Sequence, residues 1–79
     1  MVHLQEIFKD ANTISIQVDG VLDTEALEVL KTVCRRHLNH RKILIDLGGV
    51  THLGREARDY LREIRSRTLE IKLSSHFEI

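Results

Sequence analysis

Hydrophobic and polar residues alternate with a period of two along several short stretches, which predicts β-strands. The clearest strand runs from Thr13 to Asp19, and Val2 to Phe8 repeats the alternation less regularly, with a turn signal between them. Lys42 to Leu47 is the most apolar strand, and Leu69 to Leu73 alternates again. The apolar residues that would share one face of the clearest strand are Ile14, Ile16 and Val18.

Two segments between these strands have apolar residues at helical spacing. The first helix is predicted from Thr24 to about Asn39, with Asp23 or Thr24 as its N-cap. Its apolar stripe comprises Leu27, Leu30, Val33, Cys34 and Leu38. The second helix follows a predicted loop, Gly48–Gly54. Its apolar stripe comprises Leu53, Ala57, Tyr60, Leu61 and Ile64.

The predicted element order is β-β-α-β-α-β, and residues 1–79 are long enough for one domain. Strand–helix–strand units favour parallel neighbours joined by right-handed crossovers, which places successive helices on the same face of a sheet. We therefore expect an α/β fold, a two-layer sandwich. Its four-stranded, mostly parallel mixed sheet would carry both helices on one face and have its first strand antiparallel at one edge. The open face would carry Ser15, Gln17, Asp46, Glu70 and Lys72.

Composition narrows the class of protein. Twelve basic and 12 acidic residues give a formal charge of zero, which argues against a strongly basic nucleic-acid module. Residues 1–34 carry six acidic and two basic residues, whereas residues 35–67 carry nine basic and four acidic ones, so the molecule is expected to be a dipole. A single Cys, no signal-peptide pattern at the start and no long apolar run predict a cytoplasmic protein without membrane insertion.

Charged residues divide the second helix into two flanks beside its apolar stripe. Arg55, Arg58, Arg62 and Arg65 share one flank, and Glu56, Asp59 and Glu63 share the other. One interpretation is an ordinary solvated helix with weak charge pairs. The other is an arginine flank that docks an acidic surface or phosphates.

Other chemistry has little support in the sequence. The glycine loop before the second helix could bind an anion, because free N–H groups and the helix dipole point the same way. The Glu56 carboxylate could supply that negative charge from within the chain. No nucleotide-binding motif is present. Cys34, His37 and His40 are spaced by three residues, and the outer two do not share a helix face. We expect no catalytic residue, no metal and no cofactor.

Three segments together resemble the STAS family of sulfate-transporter and anti-sigma-factor-antagonist domains. They are Val18–Asp23, Ile43–Leu47 and Gly49–Thr51 with the helix that follows, and the resemblance covers residues 10 to 73. The resemblance implies a protein-binding module whose partner is an anti-sigma factor, a kinase-like protein or another regulatory subunit. In the family's bacterial antagonists, phosphorylation of a Ser or Thr switches that binding.

The switch motif of that family is absent at the corresponding positions. The family's Asp-Ser-Ser-Gly or Asp-Ser-Thr-Gly is replaced by Gly54-Arg55-Glu56-Ala57, which puts Glu56 at the phosphorylated position. Glu56 either imitates the phosphorylated state or complements the helix dipole. The chain is also short for the family, so we expect its final helix to be missing. Leu73, Phe77 and Ile79 would then form an apolar edge that favours a homodimer or a stable partner complex.

The sequence therefore predicts a non-enzymatic protein-interaction module of a regulatory system, without the phosphorylation switch. The expected docking residues are Gly54, Arg55, Glu56, Arg58, Asp59 and Arg62, with Gly20, Leu22, Asp23 and Asp46 at the same end of the sheet. One alternative is a small nucleic-acid-binding domain that uses Arg35, Arg36, Arg41, Lys42 and the arginine flank. Neutral charge and only three aromatic residues make nucleic acid the weaker choice. A third is an anion- or nucleotide-sensing domain.

Overall fold

A computed structural model describes residues 2–38, 40–67 and 71–74, apart from the side chains of residues 66, 67 and 71–74. Its elements are β1 (Val2–Asp10), β2 (Thr13–Leu22), α1 (Thr24–His37), β3 (Lys42–Leu53), α2 (Arg55–Arg67) and β4 (Ile71–Ser74). The predicted α/β class, with a mixed sheet and two helices, is confirmed. The predictions that concern Leu69, Glu70, Phe77, Ile79 and the side chains of Lys72 and Leu73 lie outside the described residues.

The strands form one sheet in the order β1-β2-β3-β4. β1 is antiparallel to β2, whereas β2, β3 and β4 are parallel to one another, so α1 and α2 each connect two neighbouring parallel strands. The predicted antiparallel pair at one edge is confirmed. All carboxyl ends of the parallel strands consequently point to the same edge of the sheet, where both helices begin.

The Gly48–Gly54 segment was predicted to be a loop, and that prediction is wrong. β3 continues to Leu53, which pairs with Leu22. The β2–β3 register has two irregularities, and at each of them β3 contains one residue without a partner in β2. The pairing resumes after each irregularity, so both strands continue beyond their predicted ends. Gly49 lies directly against Asp19, and a side chain at Gly49 would collide with the Asp19 carboxylate.

The core lies between the helices and one face of the central strands. Alternate residues of β2 and β3 are buried there, and the apolar stripes of α1 and α2 belong to the same buried cluster, so both helices cover one face. The members from the strands are Ile14, Ile16, Val18, Leu22, Ile43, Ile45, Leu47, Val50 and Leu53, and those from the helices are Ala26, Leu27, Leu30, Cys34, Ala57, Leu61 and Ile64. Ser15, Gln17 and Asp46 alternate with these residues and are half-buried.

Candidate docking surface at the helix amino ends

The amino ends of α1 and α2 are adjacent, because a backbone hydrogen bond joins the residues that precede them. The N–H of Gly54 donates to the carbonyl of Leu22 at 2.9 Å. A side chain at Gly54 would place its first carbon 3.1 Å from that carbonyl oxygen, so the close approach favours glycine. The structure therefore brings together the two segments that the sequence predicted to share one end of the sheet.

The segment before α1 is held by strand pairing and by a helix cap. Gly20 has a φ of 97°, a conformation that favours glycine, within β2. Asp23 is the N-cap, and its carboxylate accepts a hydrogen bond from the N–H of Ala26 at 2.9 Å. Leu22 is fully buried in β2, so its side chain packs in the core and is not exposed at this end of the sheet.

α2 begins directly after Gly54, which has no side chain to cap it. The first intrahelical bond runs from the N–H of Arg58 to the carbonyl of Gly54 at 3.0 Å. Arg55 and Glu56 are exposed in the first turn, and Glu56 provides the negative charge that a helix amino end favours. This turn therefore presents one acidic and one basic side chain to solvent.

The next turns of α2 continue the charged surface. Arg62 lies 3.8 Å from Asp59, but both side chains are more than half exposed, so this pair contributes little stability and leaves both groups accessible. Tyr60 faces α1, where the Lys31 ammonium is 5.4 Å from the centre of its ring. Arg58 points to the opposite flank, and its buried Nε has no hydrogen-bond partner within the described part of the chain.

Asp46 is separated from this surface. Its carboxylate accepts a hydrogen bond from the N–H of Gly48 at 2.9 Å, and it lies on the sheet face opposite the core. Asp46 pairs with Gln17, whereas the end of β3 pairs with Leu22. Asp46 lies seven residues before Leu53 in β3, which corresponds to about 20 Å along the strand. The extension of β3 explains this distance, since the predicted strand ended one residue after Asp46.

A polar cluster around His37 was missed by the sequence analysis. His37 is 4% exposed, and its Nε2 and Nδ1 lie 2.8 Å from Glu6 and 2.9 Å from Arg41. Because a guanidinium can only donate, Nδ1 accepts from Arg41, and Nε2 is left to donate to the Glu6 carboxylate. Phe8 packs edge-on against the ring at 6.0 Å. The sequence did contain a signal that His37 is buried. Its spacing from Leu30 and Cys34 continues the apolar stripe of α1.

The buried thiol of Cys34 is not suited to nucleophilic chemistry. Burial raises the pKa of Cys34 from 9.0 to about 11, although a hydrogen bond with Tyr60 partly opposes the shift. Burial and the neighbouring Cys34 also raise the pKa of Tyr60 above its usual range. Both groups are therefore neutral near pH 7, and a neutral thiol is a weak nucleophile.

The described residues hold neither a three-ligand metal cluster nor a helix that could span a membrane. Among residues 2–38, 40–67 and 71–74, no three His, Cys, Asp or Glu side chains are placed to share a metal ion. Neither of the described helices has the length and apolarity that crossing a bilayer requires.

Comparison with known proteins identifies the fold. No protein-family profile matches the sequence, and no curated protein matches it. The solved structure of the anti-sigma factor antagonist SpoIIAA in its unphosphorylated form superposes with a TM-score of 0.70 at 19% identity. The match covers 90% of this chain and 71% of that one. The chain therefore has a STAS-like fold.

Proposed function

We propose that this chain is a non-enzymatic docking module of a regulatory system, a two-layer STAS-like sandwich that acts in the cytoplasm. Its partner is a protein, either an anti-sigma factor, a kinase-like protein or another regulatory subunit. The superposition on an anti-sigma factor antagonist is the observation that carries this proposal. The joined amino ends of α1 and α2 support it, because they hold exposed charged side chains on a rigid base.

The docking surface comprises Gly54, Arg55, Glu56, Arg58, Asp59 and Arg62 of α2 and its preceding residue, together with Gly20 and Asp23. Arginine suits such a surface because its planar guanidinium can bind a carboxylate through two parallel hydrogen bonds. Arg55 and Arg62 are exposed, and residues at this spacing on a helix lie on the same side. A partner with an acidic patch fits this arrangement.

Binding by this module is constitutive in our proposal. Glu56 occupies the position that the family resemblance assigns to the phosphorylated hydroxyl, and a carboxylate is not a substrate for a Ser/Thr kinase. A carboxylate has one charge and two oxygens, whereas a phosphate has nearly two charges and three acceptor oxygens. We therefore assign Glu56 to the helix dipole, where an acidic residue contributes about 0.3–1 kcal/mol.

The first experiment is capture of partners from a lysate of the source cell, with and without nuclease. The wild type is compared with an Arg55→Glu, Arg62→Glu double variant, since both residues are exposed and their replacement should not disturb the core. A Lys31→Glu, Arg35→Glu variant on α1 is the control, because it makes the same change in net charge outside the proposed docking surface. We expect a protein that the wild type and the control retain after nuclease, and the α2 variant loses. Capture that requires nucleic acid would refute the proposal and favour a nucleic-acid-binding domain.

Once a partner is known, Glu56→Ser separates the two roles of Glu56. A dipole role predicts a partner affinity within about twofold of the wild type and a slightly lower free energy of unfolding. A loss of affinity of tenfold or more, measured by titration calorimetry, would instead mean that Glu56 imitates a phosphate.

A further inference from the structure

The side of the molecule formed by β1 and the adjacent face of α1 is here called the β1–α1 flank. Among the described residues, the large hydrophobic side chains that stand out as exposed are Phe8 at 60% and Val29 at 50%. Both lie on this flank, Phe8 near the end of β1 and Val29 near the start of α1. Glu25, Val29 and Arg36 share one side of α1 by helical periodicity, whereas Arg35 and Lys31 point toward α2.

One end of the β1–α1 flank is an open groove lined by both apolar and acidic residues. Its volume is about 220 Å³, and its apolar lining comes from Val2, Val21, Ala26 and Val29. Asp23 and Glu25 complete the lining, and both are exposed. The groove therefore offers apolar contacts beside negative charge, which suits an apolar side chain with a positive charge next to it.

The other end of the β1–α1 flank carries positively charged side chains. The Arg41 guanidinium lies 5.3 Å from the centre of the Phe8 ring, and Arg36, whose side chain is 59% exposed, lies beside Glu6 at 3.5 Å. Glu6 offsets one of these two positive charges, so this end presents an exposed aromatic ring beside an arginine guanidinium.

These two ends are complementary to each other, and they lie on the same side of one chain. Eleven residues separate Glu25 from Arg36, which is about 16 Å along the helix axis. An antiparallel two-fold rotation of a second copy brings the basic end of each chain onto the acidic end of the other. Such an interface is isologous, so each contact occurs twice and the assembly stops at two chains.

We propose that the β1–α1 flank is the interface of a symmetric homodimer, in which Phe8 of each chain occupies the groove beside Val29 of its partner. Arg36 then faces Asp23 and Glu25 across the two-fold axis. The same rotation sets the two β1 strands antiparallel, and β1 is an edge strand whose outer hydrogen-bonding groups need protection. The opposing charges fix the orientation, and burial of Phe8 and Val29 supplies the attraction.

The test is sedimentation analysis of the purified protein at low salt, from micromolar to high micromolar concentration. We expect a monomer–dimer equilibrium with no larger species. Glu25→Arg and Arg36→Glu should each raise the dimer dissociation constant about tenfold or more, because each change introduces two like-charge contacts. Combining both changes in one chain, or mixing the two single variants, should restore the dimer.

Matched controls separate this interface from general charge effects. Glu56→Arg is the control for Glu25→Arg, because each replaces the acidic residue in the first turn of its helix. Arg35→Glu is the control for Arg36→Glu, because both residues lie in the last turn of α1. We expect both controls to dimerise like the wild type. Phe8→Ser and Val29→Ser should each yield a monomer whose thermal unfolding shows an intact fold, since both side chains are at least half exposed.

Three outcomes would overturn the proposal. A protein that stays monomeric at every concentration would show that the groove does not bind a second copy of this chain. Dimers that tolerate Phe8→Ser and the charge reversals on the flank would place the interface elsewhere. Assembly that continues beyond two chains would show a head-to-tail contact in place of the two-fold one. Partner capture through α2 is measured separately, so neither result decides the other.

Discussion

At the scale of single residues, the Cys34 thiol couples the stability of the protein to alkaline pH. Its pKa is raised from 9.0 to about 11 by burial, so above about pH 9 the unfolded chain loses this proton while the folded chain keeps it. The free energy of unfolding should therefore fall as the pH rises from about 9 to about 11. Urea unfolding across that range should show a shallower fall for Cys34→Ala, which costs about 1 kcal/mol below it. Parallel curves for the two proteins would contradict this prediction.

At the scale of elements, the start of α1 depends on one capping side chain. Asp23 accepts a hydrogen bond from the N–H of Ala26 at 2.9 Å, and this N–H has no acceptor within the helix. Asp23→Ala should lower the free energy of unfolding by about 1 kcal/mol, as measured by urea denaturation. Asp23→Asn, which keeps an accepting oxygen, should lose much less. An equal loss in both variants would show that charge, and not the cap, accounts for the effect.

At the scale of the whole molecule, the central parallel strands should be the most stable unit. The alternate residues Ile14, Ile16, Ile43 and Ile45 are at most 1% exposed beneath the helices, whereas β1 lies at an edge with partly exposed side chains. Hydrogen exchange of the monomer should therefore be slowest for amides of β2 and β3 and faster by orders of magnitude along β1. Exchange in β1 as slow as in β3, at a concentration where the chain is monomeric, would contradict this ranking.

Much of the fold could be predicted because the relevant signals are local. The alternation of Ile14, Ile16 and Val18 predicted both a strand and its buried face, and the structure buries all three completely. Cys34 was expected on the apolar side of α1 for the same reason, and it is fully buried. Periodicity of this kind depends only on the geometry of a helix or strand, so it needs no knowledge of the partner element.

The continuation of β3 could not be predicted in this way. The glycines at 48, 49 and 54 are typical of a loop, yet the structure extends β3 through the first two to Leu53. Pairing with β2 decides this, since Val50 lies opposite Gly20 and β3 contains the extra residue at both irregularities in register. Similarly, the contact between His37 and Glu6 joins residues 31 positions apart, so no local pattern revealed it.

By itself, the sequence determined the type and order of the elements, their buried faces and the uneven distribution of charge, because these follow from local periodicity and composition. Only the tertiary structure decided which distant residues meet. Crossovers between parallel strands joined the amino ends of α1 and α2 through Leu22 and Gly54. The antiparallel β1 placed Phe8 and the groove beside Val29 on one flank. Such placements depend on how chain segments pack across the sheet, which no single segment specifies.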